Sequence, residues 1–141
     1  MAEAILRSRL PDALKDKFEI SSAGVFAWDG EPASSQAIKV LEEIGIDLSG
    51  HRARRMTEEI TRDAALVVAM TEAHRLQVLA DSPSAESKVI LLGSLDGSRN
   101  DADIADPIGG SKDVFTAARD EIAELVDRLI DYLFERFEIE R

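Results

Sequence analysis

Two short apolar runs, set about one helix apart, constrain the fold of this chain most. Ala64-Ala65-Leu66-Val67-Val68-Ala69-Met70 and Val89-Ile90-Leu91-Leu92 contain no polar residue at either alternation. A strand that is apolar on both faces must be covered on both, which is the condition of a strand inside a parallel sheet. Between the runs, Thr71 is placed to cap a helix carrying Leu76, Val78 and Leu79. Strand, crossover helix and strand form the repeating unit of parallel α/β folds.

Helical spacing marks most of the remaining chain. Ala2, Ile5, Leu6 and Leu10 share one face, although no capping residue precedes them, and Pro11-Asp12 ends that helix or opens a turn. Phe18 to Val25 alternates at first and then turns small, which predicts a strand leading into a loop. Trp28 to Pro32 is turn-rich, with Pro32 suited to the first turn of a helix whose stripe is Ala37, Ile38, Leu41 and Ile44. Gly45 stops that stripe. Thr57 to Thr61 reads as one short helix, and Gly93 to Gly110 as a polar loop. Ser111 caps a last helix with the stripe Val114, Ala118, Ile122, Leu125, Leu129 and Leu133, and Phe134 to Arg141 is expected to fray. The expectation is one α/β domain over residues 1–141, a three-layer α/β/α arrangement with helices on both faces of a parallel sheet. No repeat, linker or low-complexity segment interrupts it.

Composition narrows the function. Lys and Arg number 17 against 28 Asp and Glu, a net charge of −11, so no basic stripe could offset that field along a phosphate backbone, and no nucleic-acid partner is expected. The apolar runs are too short to cross a bilayer, and Met1 to Arg7 is not a basic region leading into an apolar core. A cytoplasmic protein with no membrane partner is expected. The chain has no cysteine, which rules out disulfides, thiolate metal sites and a thiol nucleophile supplied by these residues. Its two histidines, His51 and His74, lack metal-ligand spacing, and no Gly-rich nucleotide loop is present. No metal and no cofactor are expected.

In parallel α/β folds the chemistry lies beyond the carboxyl ends of the strands. Ala23 to Glu31, Thr71 to His74 and Asp103 to Ser111 fall there. Asp106-Pro107 followed by Gly109-Gly110 is a fixed turn that either presents a carboxylate as general acid or base, or simply starts a turn. His51 lies in Ser49-Gly50-His51-Arg52-Ala53-Arg54-Arg55, the most basic stretch, which either binds an anion or is a solvated helix end. Trp28, the only tryptophan, either walls a pocket or packs on the core.

Taken together, six segments resemble the low-molecular-weight protein tyrosine phosphatase family, and its bacterial protein-arginine-phosphatase branch in particular. They are Met1-Ala2-Glu3-Ala4, Ser21-Ser22-Ala23-Gly24, Gly30-Glu31-Pro32-Ala33, Leu48 to Arg54, Ala69-Met70-Thr71, and Asp106-Pro107-Ile108-Gly109-Gly110-Ser111. They cover nearly the whole chain in the family's order. Each is weak singly, and the series is specific.

The resemblance implies a function and a deficiency. The family's signature is a Cys-x5-Arg-Ser/Thr-Pro loop between its first strand and first helix. Its thiolate attacks phosphorus while the arginine and backbone amides hold the phosphate. The segment after that proline corresponds to Met1-Ala2-Glu3, so the resemblance implies that the first strand, the nucleophile and the phosphate-binding arginine precede this chain. By the same resemblance Asp106 is the general acid and Pro107 holds its loop. Glu3 and His51 form a carboxylate–imidazole pair that supports the phosphate loop, and Ser22 hydrogen-bonds it. Trp28 and Ile108 wall the substrate cleft. Asp-Pro-x-Gly-Gly-Ser leans toward the arginine-phosphatase branch, where Phe often stands at the position of Ile108.

The complete form is expected to act on phosphorylated protein, and this chain to be inactive. The alternative is a non-catalytic binding or regulatory module on the same scaffold. A cysteine-relay arsenate reductase is a poor fit to a chain without cysteine. Loss of the family's central strand would expose sheet edges, through which self-association or reduced stability is expected.

Overall fold

In chain order the elements are α1 (Ala2–Arg9), α2 (Asp12–Lys15), α3 (Ser35–Glu42), α4 (Glu58–Asp63), β1 (Val67–Ala69), α5 (Glu72–Asp81), β2 (Val89–Leu91) and α6 (Lys112–Arg136), with 3₁₀ turns at Pro83–Lys88 and Leu92–Leu95. The computed structural model describes all of residues 1–141. β1 and β2 pair in parallel, with Val67 opposite Val89, Val68 opposite Ile90 and Ala69 opposite Leu91. The protein is therefore α/β with a parallel sheet. Each strand is shorter than the apolar run containing it, because a ladder extends only where both backbones face each other. The sheet has two strands, so β1 carries a ladder partner on one side only.

The residues group into two compact units. The first comprises Met1–Ser22, Pro32–His51 and Asp106–Arg141, and the second Ala23–Glu31 and Arg52–Ala105. In the second unit, the Thr71 hydroxyl accepts the His74 N–H at 3.1 Å and starts α5 as its cap requires. Thr57 does the same for α4, accepting the Ile60 N–H at 3.2 Å. Lys88 Nζ closes the other end of α4 by donating to the carbonyls of Arg62 and Ala64 at 3.1 and 2.7 Å. Val78 of α5, Ala85 and Val89 form a buried cluster, against which Val25, Met56, Val67 and Leu79 pack. After β2 the chain turns at buried Gly93 and returns, so that the Ile104 N–H reaches the Met70 carbonyl at 2.9 Å.

In the first unit, α6 is the organising element. Ile122, Leu125, Val126, Leu129 and Leu133 are buried along one stripe, and both α1 and α3 pack on α6. Ile5, Val40, Leu41 and Val126 are fully enclosed. Two arginines join the helices. Arg9 of α1 donates to the Ala123 carbonyl at 3.0 Å and to Asp127 at 3.1 Å. Arg119 of α6 donates to the Val40 carbonyl at 2.9 Å and to Glu43 at 3.1 Å.

Three local expectations need correction. Phe18 to Val25 forms no strand: its only sheet-like contact is a parallel bridge from Gly24 to Arg55, and the Ile20 carbonyl accepts from the Arg7 guanidinium instead of a neighbouring strand. Alternation predicts an extended segment, but a strand also needs a hydrogen-bonded neighbour. Pro32 precedes α3 rather than opening it, because the Ser34 hydroxyl caps that helix by accepting the Ala37 N–H at 3.2 Å. The last helix continues to Arg136 without fraying at Phe134, which is buried, and beyond it the Phe137 and Phe18 rings meet edge-on at 5.1 Å.

Candidate functional site

Asp106 stands at the head of a preorganised turn. Its Oδ1 accepts the Ile108 N–H at 3.0 Å, and the Pro107 carbonyl accepts the Gly110 N–H at 2.9 Å. Gly109 has φ +80°, a conformation that favours glycine. A Cβ on Gly110 would lie 2.8 Å from Val114 Cγ1 and 2.9 Å from the Pro107 carbonyl oxygen, so the second glycine is also demanded by space. Ser111 then caps α6 by accepting the Val114 N–H at 3.4 Å. The Asp106 side chain is exposed, and Ile108 two residues on is 76% exposed. A carboxylate held this way faces solvent and is free to exchange a proton with a bound group.

Glu3, Ser22 and Arg7 form the second cluster, in the same unit. The Ser22 hydroxyl donates to Glu3 Oε1 at 2.5 Å, and Arg7, one helical turn from Glu3, pairs with its carboxylate at 3.3 Å. Glu3 thus meets Ser22 and Arg7 within this unit. His51 is half-buried, and its backbone N–H donates to the Leu48 carbonyl at 3.1 Å. Burial pushes the Met1 amino group below its ordinary pKa, with the Glu3 carboxylate opposing part of that shift.

In the other unit, loop 24–31 is pinned along residues 53–56. The Gly24 N–H donates to the Arg54 carbonyl at 2.9 Å, the Met56 N–H to Gly24 at 2.9 Å and the Gly30 N–H to Ala53 at 2.8 Å. Asp29 Oδ1 accepts the Arg55 N–H at 2.7 Å. Trp28 is 78% exposed, which removes the alternative that it packs on the core. The sequence reading passes over Phe26, which is 79% exposed on the same loop. Two aromatics within three residues, in a stretch bounded by Gly24 and Gly30, are the signal that marks it. No group of three or more His, Asp or Glu side chains is placed to hold a metal ion, and no helix is long and apolar enough to cross a membrane.

Comparison with known proteins adds identity to this geometry. The family model described as low molecular weight phosphotyrosine protein phosphatase matches residues 1–138. A protein-arginine-phosphatase of Geobacillus stearothermophilus is 41% identical over 134 residues, which is 94% of this chain and 86% of the relative. The low molecular weight protein-tyrosine-phosphatase Etp of Escherichia coli K12 is 34% identical over 115 residues, covering 82% of this chain and 72% of the relative. Among solved structures, the YwlE arginine phosphatase from Geobacillus stearothermophilus superposes with a TM-score of 0.84 at 39% identity, covering 99% of this chain and 88% of that one.

Proposed function

Because the chain belongs to the low molecular weight phosphotyrosine protein phosphatase family, we propose that it carries the acid and support side of a phosphatase site whose nucleophile loop lies outside these 141 residues. The complete protein hydrolyses phosphorylated protein in the cytoplasm through a cysteinyl phosphate, and the 141 residues alone are inactive. The observation that carries this reading is the absence of any cysteine beside an intact Asp106-Pro107-Ile108-Gly109-Gly110-Ser111 turn. The family match runs through residues 1–138, which supports one domain over 1–141. Phosphoarginine is the favoured substrate, since relatives 41% and 35% identical over 94% of this chain are named protein-arginine-phosphatases.

In this mechanism the loop thiolate forms an S–P bond while the P–N bond of phosphoarginine, or the P–O bond of phosphotyrosine, breaks. Asp106 gives its proton to the departing nitrogen or oxygen. As a carboxylate it then takes a proton from the water that attacks phosphorus and releases the thiolate. Proton transfer of this kind contributes about 10²–10⁴-fold in rate. Pro107 keeps Asp106 on its turn, while Glu3, Ser22 and His51 support the nucleophile loop. Trp28 and Ile108, each exposed in its own unit, are the residues proposed to meet the substrate. The one-sided pairing of β1 is also where strand exchange between copies would produce self-association.

A form extended upstream of Met1 tests the reading. If an in-frame Cys-x5-Arg-Ser-Pro loop is encoded there, the extended protein is expected to hydrolyse a phosphoarginine peptide, and Asp106→Asn to slow it about 10²–10⁴-fold. No turnover by the folded extended protein, or an Asp106→Asn variant as fast as its parent, refutes it. If no such loop is encoded, the absence of cysteine favours the second reading, a non-catalytic module on the phosphatase scaffold.

A further inference from the structure

The C-terminal end of α3 carries two acids, of which only one is compensated. Glu42 and Glu43 stand where the helix dipole disfavours negative charge. Lys112 and Arg119 of α6 both pair with the Glu43 carboxylate, at 2.5 and 3.1 Å. Glu42 forms no ion pair and accepts no hydrogen bond on its carboxylate, although Lys39 lies in the same turn.

Glu42 borders an open recess of about 470 Å³ that lies wholly within the first unit. Sites for small ligands span about 300–1,000 Å³. Buried Leu48, half-buried Ile38 and Ile46 and the bare backbone of Gly45 give the recess an apolar floor, and exposed Glu42, Asp47 and Ser49 stand at its rim. Asp47 accepts the Ser49 N–H and hydroxyl through Oδ1 alone, at 2.9 and 2.6 Å, which leaves Oδ2 to a ligand. No basic side chain lines the recess, so its charge has one sign.

A recess that is apolar below and doubly anionic above is complementary to a side chain built the same way. An aliphatic stem packs on the isoleucines while a cationic head reaches the carboxylates. Arginine suits this better than lysine, because its planar fork of donors serves two carboxylates at once. The net charge of −11 acts in the same direction at longer range, drawing basic surfaces toward the chain. An acidic segment would instead meet two uncompensated carboxylates.

We infer that this recess is a docking site for an arginine-bearing segment of a partner protein. The arginine stem lies along Ile38 and Ile46 over Leu48, and its guanidinium pairs with Glu42 and with Oδ2 of Asp47. The inference goes beyond the phosphatase reading and does not depend on it, since neither acid has a part in phosphate chemistry.

The test is chemical-shift titration of the folded 141-residue chain with a capped Ala-Ala-Arg-Ala-Ala peptide and with the same peptide carrying citrulline in place of arginine. Citrulline keeps the length and shape of the side chain and removes only its charge. The expected result is shifts clustered at Ile38, Gly45, Ile46 and Leu48, with the arginine peptide binding about tenfold tighter than the citrulline peptide. That preference should vanish in the double variant Glu42→Gln, Asp47→Asn. Both side chains are exposed, and Asp47→Asn keeps an oxygen acceptor for Ser49, so spectra elsewhere should stay unchanged. The control is Glu58→Gln with Glu59→Gln, which removes the same charge from α4 in the other unit and should leave the preference intact. Equal binding of the two peptides, shifts scattered over the surface, or a preference that survives the double variant overturns the inference. So does an equal loss in the control, which would mean attraction to net charge alone. Each of these failures leaves turnover by the extended protein, which tests the phosphatase reading, unaffected.

Discussion

Gly93→Ala is the substitution whose cost is read most directly from the coordinates. A Cβ at Gly93 would sit 2.0 Å from the carbonyl oxygen of Ala102, 2.7 Å from its carbonyl carbon and 3.1 Å from its Cα. Real Cβ contacts stay above 3.0 Å, so the two backbones must separate by about 1 Å. The obstacle is main chain rather than the end of a flexible side chain, so rotamer changes give no relief. Overpacking costs typically 1–3 kcal/mol, and a backbone clash belongs at the upper end, about 3 kcal/mol. For a domain of this size 1 kcal/mol shifts Tm by about 3–4 °C, which gives a drop of about 10 °C. The assay is thermal unfolding followed by far-UV circular dichroism, with Gly97→Ala as control, since nothing lies within 4 Å of a Cβ there. A Gly93→Ala variant melting within 2 °C of the Gly97→Ala control would refute the reasoning. The segment from Gly93 to Ile104 leads directly into Asp106, so in an active extended form the same substitution should also lower turnover.

The remaining expectations concern single contacts. Arg119→Gln removes donors to the Val40 carbonyl and Glu43 from a side chain only 11% exposed. Hydrogen bonds to charged groups are worth about 1.5–3 kcal/mol, and a urea titration should show a loss of that size with the m-value unchanged. Glu43 is held below its ordinary carboxylate pKa chiefly by its hydrogen bond from Lys112, with Arg119 adding to the effect. Its contribution to stability is therefore present above about pH 4.5 and lost as pH falls through the lower folded value. Melting temperatures measured from pH 6 to pH 3 should fall less steeply in Glu43→Gln than in the parent, and parallel curves would contradict this. Trp28→Ala should leave stability within about 0.5 kcal/mol because the ring is exposed, whereas Leu41→Ala, fully enclosed, should cost about 2–5 kcal/mol.

Legibility in the sequence followed how local each signal was. The β1–α5–β2 unit was readable because apolar residues on both strand faces, with a hydroxyl cap at Thr71 between them, leave few alternatives. Thr57 and Ser111 were readable as caps or helix starts for the same local reason. Phe18 to Val25 was misread because alternation says nothing about a partner strand, and here Arg7 occupies the Ile20 carbonyl. At the site, the Asp106 turn was legible from Asp-Pro and two glycines, each of which the geometry requires. Of the partners of Glu3, Arg7 stands at the ordinary i,i+4 helical spacing, whereas Ser22 reaches Glu3 only through packing and left no spacing to read. Phe26 left a fainter trace, a second aromatic two residues from Trp28 in a stretch bounded by Gly24 and Gly30.

The central claim, an acid without its nucleophile, is tested most directly by turnover of the 141-residue chain itself. Purified and folded, it should release no phosphate above background from phosphoarginine peptide or para-nitrophenyl phosphate, and Asp106→Asn should make no difference. Vanadate-sensitive turnover that Asp106→Asn abolishes would contradict the account, because it would require a nucleophile among residues that contain no cysteine.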